Sequence, residues 1–294
     1  MRNMGKKKKR KLVMWCTCKV IGCLLFSVGC VFWGCSVPKY YSVSGTFQKQ
    51  TAQGMAVFKD YAFLFNNTGI CRIYDLNRQC MVNYFDVASK SVNNHANCVS
   101  FGVEYFVGNK DFPALYISEC KKPWRCFVED VSLQGAKLMQ IFQFKRDNKE
   151  EIVHNWVVDK ERKFIYAIAR KPSANGSDYV HSICCFQLPS IHEKNVIFTE
   201  RDIKDEFQVL FPNLLQGACI RNGFLYMPTG MHAVSGNNKS GKREIMVIDL
   251  KQKLIKQKIS LTNITVNEPE DVDFYRRKLL LYCGQTGGLY CIDL

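Results

Sequence analysis

The sequence predicts an all-β protein, a β-propeller of five blades, and three observations carry that expectation. Five segments share one layout. Their starts, at positions 53, 95, 154, 216 and 270, lie 42 to 62 residues apart, which suits four-stranded blades with loop insertions. No long stretch shows the 3.6-residue apolar period of an amphipathic helix. The composition agrees: 47% of the 294 residues are hydrophobic and 13% aromatic, enough apolar surface for a packed core and a bias towards sheet.

Each segment opens on a polar residue, runs as a short apolar strand, turns, and enters a second apolar strand. The pairs are Gln53 to Phe58 with Tyr61 to Phe65, His95 to Phe101 with Ala114 to Ser118, and His154 to Val158 with Phe164 to Ile168. The last two are Gln216 to Ile220 with Phe224 to Met227, and Glu270 to Phe274 with Leu279 to Tyr282. A third strand closes on Asp-Leu in Cys71 to Leu76, Ile245 to Leu250 and Leu289 to Leu294. A fourth follows in places, as at Gln79 to Tyr84. Strands of four to six residues separated by Asn222-Gly223 and Gly287-Gly288 turns suit an antiparallel meander. Five blades are expected. A sixth is open if Ala136 to Glu150 or Ile191 to Asp205 hides another unit.

The fifth repeat ends after three strands, so the ring needs a closing strand from elsewhere. Tyr40 to Gln48 is the candidate, which would join the two ends and cover exposed edges. The expected propeller domain is 39–294.

Residues 1–35 read as a leader. A basic block, Lys6 to Lys11, precedes an apolar stretch from Leu12 to Cys35, the layout of a secretion signal or retained anchor. The uncharged run 20–37, about 18 residues, is near the lower limit for a spanning helix. The block Phe26-Ser27-Val28-Gly29-Cys30 resembles the lipid-attachment site of exported bacterial lipoproteins, with Cys30 as the modified residue. Trp33-Gly34-Cys35 is the alternative, with Cys35 modified. The resemblance implies a membrane-anchored domain on the extracytoplasmic side of a bacterial cell envelope, partnered by the membrane through its N-terminus.

The formal net charge of +15 invites a nucleic-acid reading, but eight basic residues precede Cys30 with no acidic ones. The remainder, 33 basic against 26 acidic residues, is scattered. Without a basic stripe or a recognisable module, no nucleic-acid partner is expected. Ten cysteines follow the leader, mostly inside apolar strand runs, which reads as small buried hydrophobes. Export would permit disulfides, with Cys120–Cys126 and Cys283–Cys291 the nearest pairs. Cys184 and Cys185, adjacent on a strand, should face opposite ways.

Aligning the repeats stacks Gln53, His95, His154, Gln216 and Glu270 at one position, with Asn97, Asn155 and Asp271 beside them. In a propeller the first strand of each blade lines the central channel, so these residues would ring its mouth. The expected ligand-binding set is Gln53, His95, His154, Gln216, Glu270 and Asp271. His95, His154 and Glu270 are the expected ligands if the site holds a divalent metal such as zinc or calcium. The bland reading is that polar residues at a wet mouth satisfy backbone groups and water. Tyr61, Tyr116 and Tyr226 should pack between blades. No nucleophile elbow or HExxH helix is present.

The Gln53-Gly54-Met55 and Gln216-Gly217-Ala218 strand starts, with five repeats, resemble the five-bladed plant-type glutaminyl cyclase family, which carries a Phe-Thr-Gln-Gly-Leu motif. Thr51-Ala52-Gln53-Gly54-Met55 supplies Gln-Gly and an apolar residue, without the preceding Phe-Thr. The resemblance implies the fold more than the activity. Three functional readings follow. The first is a domain binding a polar small molecule or protein ligand at the channel mouth. The second is an enzyme, a cyclotransferase, lyase or hydrolase, using the same ring. The third is a protein-interaction scaffold working through the loops Lys171 to Val180 and His232 to Lys242.

Overall fold

The computed structural model describes residues 39–41, 52–174, 179–211, 214–230, 242–284 and 288–294. Five small sheets of antiparallel strands form the blades of a five-bladed β-propeller. Strand β1 is Lys39–Tyr41. Blade 1 is β2 (Ala52–Phe58), β3 (Tyr61–Asn66), β4 (Ile70–Asp75) and β5 (Cys80–Asp86). Blade 2 is β6 (Val99–Phe101), β7 (Leu115–Ser118), β8 (Cys126–Val131) and β9 (Ala136–Arg146), extended by β10 (Lys149–Glu150). Blade 3 is β11 (Asn155–Asp159), β12 (Phe164–Pro172), β13 (Tyr179–Gln187) and, after the short β14 (Val196–Phe198), β15 (Ile203–Phe211). Blade 4 is β16 (Cys219–Arg221), β17 (Phe224–Thr229), β18 (Glu244–Asp249) and β19 (Leu254–Ser260). Blade 5 is β20 (Pro269–Tyr275), β21 (Lys278–Cys283) and β22 (Leu289–Ile292), with β1 as its outer strand.

The closing strand is therefore supplied from the N-terminal side, as the sequence predicts, at residues 39–41; residues 42–48 lie outside the described part. Neither long stretch makes a sixth blade. Residues 136–150 form the outer strand and hairpin of blade 2. Val196–Phe198, from the insertion between β13 and β15, pairs in parallel with β9. That insertion straps blade 3 to the edge of blade 2 and covers an otherwise open strand. The leader 1–35, with Cys30 and Cys35, lies outside the described residues. Among the described residues no helix is long and apolar enough to cross a membrane.

The inner strands of the blades read as continuous apolar runs because both faces are buried, while the fourth strands, such as β5 and β19, are largely exposed. Each blade sends alternate residues into two different clusters. In β21, Leu279, Leu281 and Cys283 pack towards blade 4, while Leu280 and Tyr282 pack towards blade 1. Cys184 joins the cluster between blades 2 and 3, and its neighbour Cys185 the one between blades 3 and 4. The same alternation removes the disulfides. Cys283 and Cys291 lie in separate clusters, and no disulfide joins any of the ten described cysteines. Cys120, expected to bridge Cys126, sits at φ 56° in the turn after β7, while Cys126 is in the blade 2–3 core. Tyr116 is buried in that core, Tyr61 packs against the blade 1–2 cluster, and Tyr226 meets Phe274 at 5.0 Å in the blade 4–5 cluster.

The recurring Asp-Leu has a physical cause. Asp75 Oδ1 accepts the N–H groups of Asn77 and Arg78, and Asp249 Oδ1 those of Lys251 and Gln252, so each carboxylate caps the turn to the fourth strand. The leucine that follows is buried at positions 76 and 250, and exposed at Leu294. Its N–H returns to the turn between the first two strands, Leu76 to Asp60 and Leu250 to Gly223.

At the axis the inner strands are joined in a closed ring. Gly54 N–H donates to the Ala96 carbonyl at 2.8 Å, Asn97 Nδ2 to Asn155 Oδ1 at 2.6 Å, and Asn155 Nδ2 to the Gln216 carbonyl. Gly217 N–H donates to the Glu270 carbonyl at 2.6 Å, and Met55 N–H to Asp271 Oδ2 at 2.8 Å. Each blade is thereby bonded to the next. Two side chains bridge further: Asp271 Oδ2 also accepts the Val99 N–H, and Cys98 Sγ donates to the Ala218 carbonyl at 3.3 Å. The axis is filled at this level, not lined as an open channel.

Glycine at 54 and 217 follows from that ring. A Cβ on Gly217 would lie 2.1 Å from Asp271 Oδ1, and one on Gly54 would lie 2.4 Å from the Ala96 carbonyl oxygen. The Gln-Gly pairs thus mark close approach at the axis. Gly217→Ala is expected to destabilise the fold by about 2 kcal/mol or more, because the carboxylate it displaces has nowhere to relax. Gly135→Ala, where a Cβ meets nothing within 4 Å, should change stability by less than about 0.5 kcal/mol. Urea unfolding of the two variants checks the pair, and equal midpoints would refute the role given to the ring.

Candidate functional site

All five inner strands start at one end of the domain. In an antiparallel meander the connections between second and third strands, and those between blades, emerge at that same end. The expected loops 171–180 and 232–242 are two of these connections; residues 175–178 and 231–241 lie outside the described part. This end is the mouth, and the predicted residues divide there into three groups.

Asp271 does not face a ligand. It is fully buried, and its carboxylate accepts N–H bonds from Met55, Val99 and Val272. Burial pushes its carboxyl well above the usual range, against those hydrogen bonds. Asn97 and Asn155 are likewise spent within the ring. The expectation that Asp271 belongs to the binding set is corrected: it holds the inner strands.

Gln53, Gln216 and Glu270 precede the ring residues and line the blade 4, 5 and 1 side of the mouth. Glu270 occupies a bulge in β20 and lies over Gly284, where a Cβ would sit 2.3 Å from Glu270 Oε1. Its carboxyl is raised well above the ordinary range by burial, then by the nearby Glu268 and Asp271 carboxylates. Gln216 Nε2 donates to Glu268 Oε1 at 2.7 Å and to the Gly230 carbonyl. Gln53 Oε1 is buried without a hydrogen-bond partner among the described residues, and so is the phenol oxygen of Tyr282, which feels the Glu270 charge.

His95 and His154 lie on the blade 2 and 3 side. His95 is one residue out of register: Ala96, not His95, is equivalent to Gln53. Asn94 Oδ1 accepts the N–H groups of both His95 and Ala96, a local turn that inserts one residue before the strand. The His95 Nδ1 is buried and unpartnered among the described residues. Its pKa is lowered to about 4 by burial and then by Lys121. His154 Nδ1 accepts the Arg170 N–H at 3.2 Å, and its pKa is lowered to about 4 by burial and then by Arg170.

Among the described residues no three His, Cys, Asp or Glu side chains gather as a metal site. The expected triad of His95, His154 and Glu270 is not brought together: the imidazoles each sit beside a fixed cation, whose charge opposes a bound metal ion. Sequence reasoning missed Arg170, Lys121 and Tyr282. The one signal was a cation, Arg170, closing the apolar run of β12.

Fold and site together define a five-bladed propeller with a polar mouth at the start of its inner strands. No family model matches the sequence, and no curated protein does. Two solved structures are similar in chain course. The glutaminyl cyclase of Myxococcus xanthus has 10% identity over 88% of this chain and 95% of that one, with a TM-score of 0.49. The hydrazine synthase of Kuenenia stuttgartiensis has 11% identity over 78% of this chain, with a TM-score of 0.40; the match spans 61% of that chain.

The histidines give the site a pH signature. In the folded chain both imidazoles protonate near pH 4, in the unfolded chain near 6.5, so on acidification the unfolded state takes up protons first. Their contribution to stability is complete above pH 6.5 and is lost as the pH falls towards 4. The raised carboxyls of Glu270 and Asp271 act in the opposite sense. A His95→Gln, His154→Gln double variant should therefore show a shallower loss of stability between pH 6.5 and 4 than wild type. Parallel unfolding profiles would show that the imidazoles are not held neutral.

Proposed function

We propose that the protein is a membrane-anchored, extracytoplasmic β-propeller of the bacterial cell envelope that binds a polar ligand at its mouth. The observation that carries the binding reading is the group of buried polar atoms there without partners among the described residues: Gln53 Oε1, His95 Nδ1 and Tyr282 Oη. Buried hydrogen-bonding groups in native proteins are nearly always satisfied, and an orphan typically costs about 1–3 kcal/mol. Several at one mouth favour a bound polar molecule as their common partner. The anchoring reading rests on the basic block, the apolar run and the Cys30 motif.

A second reading, an enzyme acting at the same mouth, is favoured by Glu270. A carboxyl kept protonated by burial and by neighbouring acids is suited to general-acid chemistry. A hydrolase, lyase or cyclotransferase would use it so. Glu270→Gln should then retain ligand binding and lose turnover; a wild-type protein that returns its bound ligand unchanged sinks this reading.

Binding is tested by thermal shift against a panel of polar metabolites and short peptides. A true ligand at 100 times its Kd adds about 2.7 kcal/mol to stability. Gln53→Ala and Tyr282→Phe should reduce that shift while leaving the unliganded protein folded. If every stabilising compound acts equally on the variants, the mouth is not the site. Anchoring is tested by labelling the full chain with radioactive palmitate in bacteria. Label and membrane association should both disappear in Cys30→Ser, or in Cys35→Ser if that residue is the acceptor. An unlabelled wild type refutes lipidation.

A further inference from the structure

The blade 2–3 side of the mouth carries two cations that no described carboxylate neutralises. Arg170, two residues before the end of β12, is half-buried and has its guanidinium 5.2 Å over the Tyr179 ring. Stacking occupies one face of the planar group and leaves its N–H edge for another partner. Across the β12–β13 pair stands His181, itself stacked on Phe211 at 3.7 Å, so the wall behind Arg170 is aromatic. Burial lowers the Arg170 pKa, the mark of a charge removed from water without an acid beside it. Two other half-buried arginines have an acid beside them, Arg125 with Glu119 at 2.7 Å and Arg146 with Glu206 at 3.0 Å, whereas Arg221 and Arg243 donate to backbone carbonyls.

Lys121 stands at the same end, in the turn after β7, where the Glu119 carbonyl accepts the His95 N–H at 3.0 Å. The Cys120 thiol feels both Arg170 and Lys121. That thiol is pushed up to about 12 by burial and stays neutral, so it does not offset them. Glu119, the nearest acid in the chain, is engaged by the Arg125 guanidinium through both carboxylate oxygens. His154 accepts the Arg170 N–H at Nδ1, which fixes the neutral ring as the Nε2–H tautomer and leaves that N–H as a donor.

We propose that Arg170 and Lys121 form an anion-binding subsite within the mouth, which takes a carboxylate or phosphate group of the ligand, with neutral His154 and His95 beside it as hydrogen-bonding groups. The subsite rests on the mouth being a binding site and assigns its ligand a negative charge. A guanidinium edge suits either anion in two-pronged fashion, and Lys121 adds a mobile point charge.

The test uses the full chain with inorganic phosphate and with succinate as probes, at constant ionic strength against sodium chloride. One or both anions should raise the thermal midpoint with dose. Arg170→Gln should weaken that binding about tenfold or more, the scale of one lost charge-assisted contact. Lys121→Ala, at an exposed position, should weaken it less and serves if the Arg170 variant is poorly folded. Arg276→Gln removes the same charge at the opposite end and should change nothing. A response to phosphate alone identifies a phosphoryl group, and one to succinate alone a carboxylate. Midpoints equal to those in chloride, or an unchanged affinity in both mouth variants, overturn the proposal. If a neutral compound still binds through Gln53 and Tyr282, only the anion subsite falls; if nothing binds, the mouth reading falls with it.

Discussion

The hydrogen-bonded ring at the axis is the constraint on which the rest of the domain depends. A propeller packs its blades side by side, but packing alone leaves the inner strands free to slide along the axis. The ring removes that freedom by giving each inner strand a polar contact to the next. Asp271 is its most demanding member. A carboxylate without solvent is costly unless several donors surround it, and Met55, Val99 and Val272 supply three from blades 1, 2 and 5. Gly54 and Gly217 have no side chain because those contacts leave no room for one.

Once the inner strands are locked, the alternation along each strand sorts the core. Successive residues enter different inter-blade clusters, so every blade is glued on both sides by apolar surface. The outer edges are handled separately. Blade 5 receives β1, and blade 2 receives the parallel strand β14 carried over from the blade 3 insertion. Those additions leave blades of unequal width around the ring of inner strands.

The fold was legible because it is periodic. Strand starts, Asp-Leu turn caps and Gln-Gly pairs recur, and each recurrence has a local cause that composition preserves. The candidate site was legible only in part. Gln53, Gln216 and Glu270 stand where repeat alignment puts them, since their register follows from the ring residue after each. His95 does not, because the turn built on Asn94 adds a residue that strand patterning does not reveal. Asp271 looked like a ligand because an acid at a strand start is chemically ambiguous; only its three donors decide the matter. Arg170 and Lys121 were hidden because they come from different blades, and only the tertiary structure places both at the mouth.

The mouth and the ring are interleaved residue by residue: Gln53 beside Gly54, Gln216 beside Gly217, Glu270 beside Asp271. Ligand-facing groups are therefore mounted one residue from the most tightly held points of the domain, which suits a site needing fixed geometry. The electrostatics of the mouth follow from the same placement. On the blade 5 side, burial first and then the Glu268 and Asp271 carboxyls raise the Glu270 carboxyl well above its usual range, which favours its neutral form. On the blade 2–3 side, burial first, and then Lys121 for His95 and Arg170 for His154, lower both imidazole pKa values to about 4. One half of the mouth thus favours a neutral carboxyl, while the other sets two basic side chains beside neutral imidazoles. A ligand that met this surface with an anionic group would be oriented before it was bound.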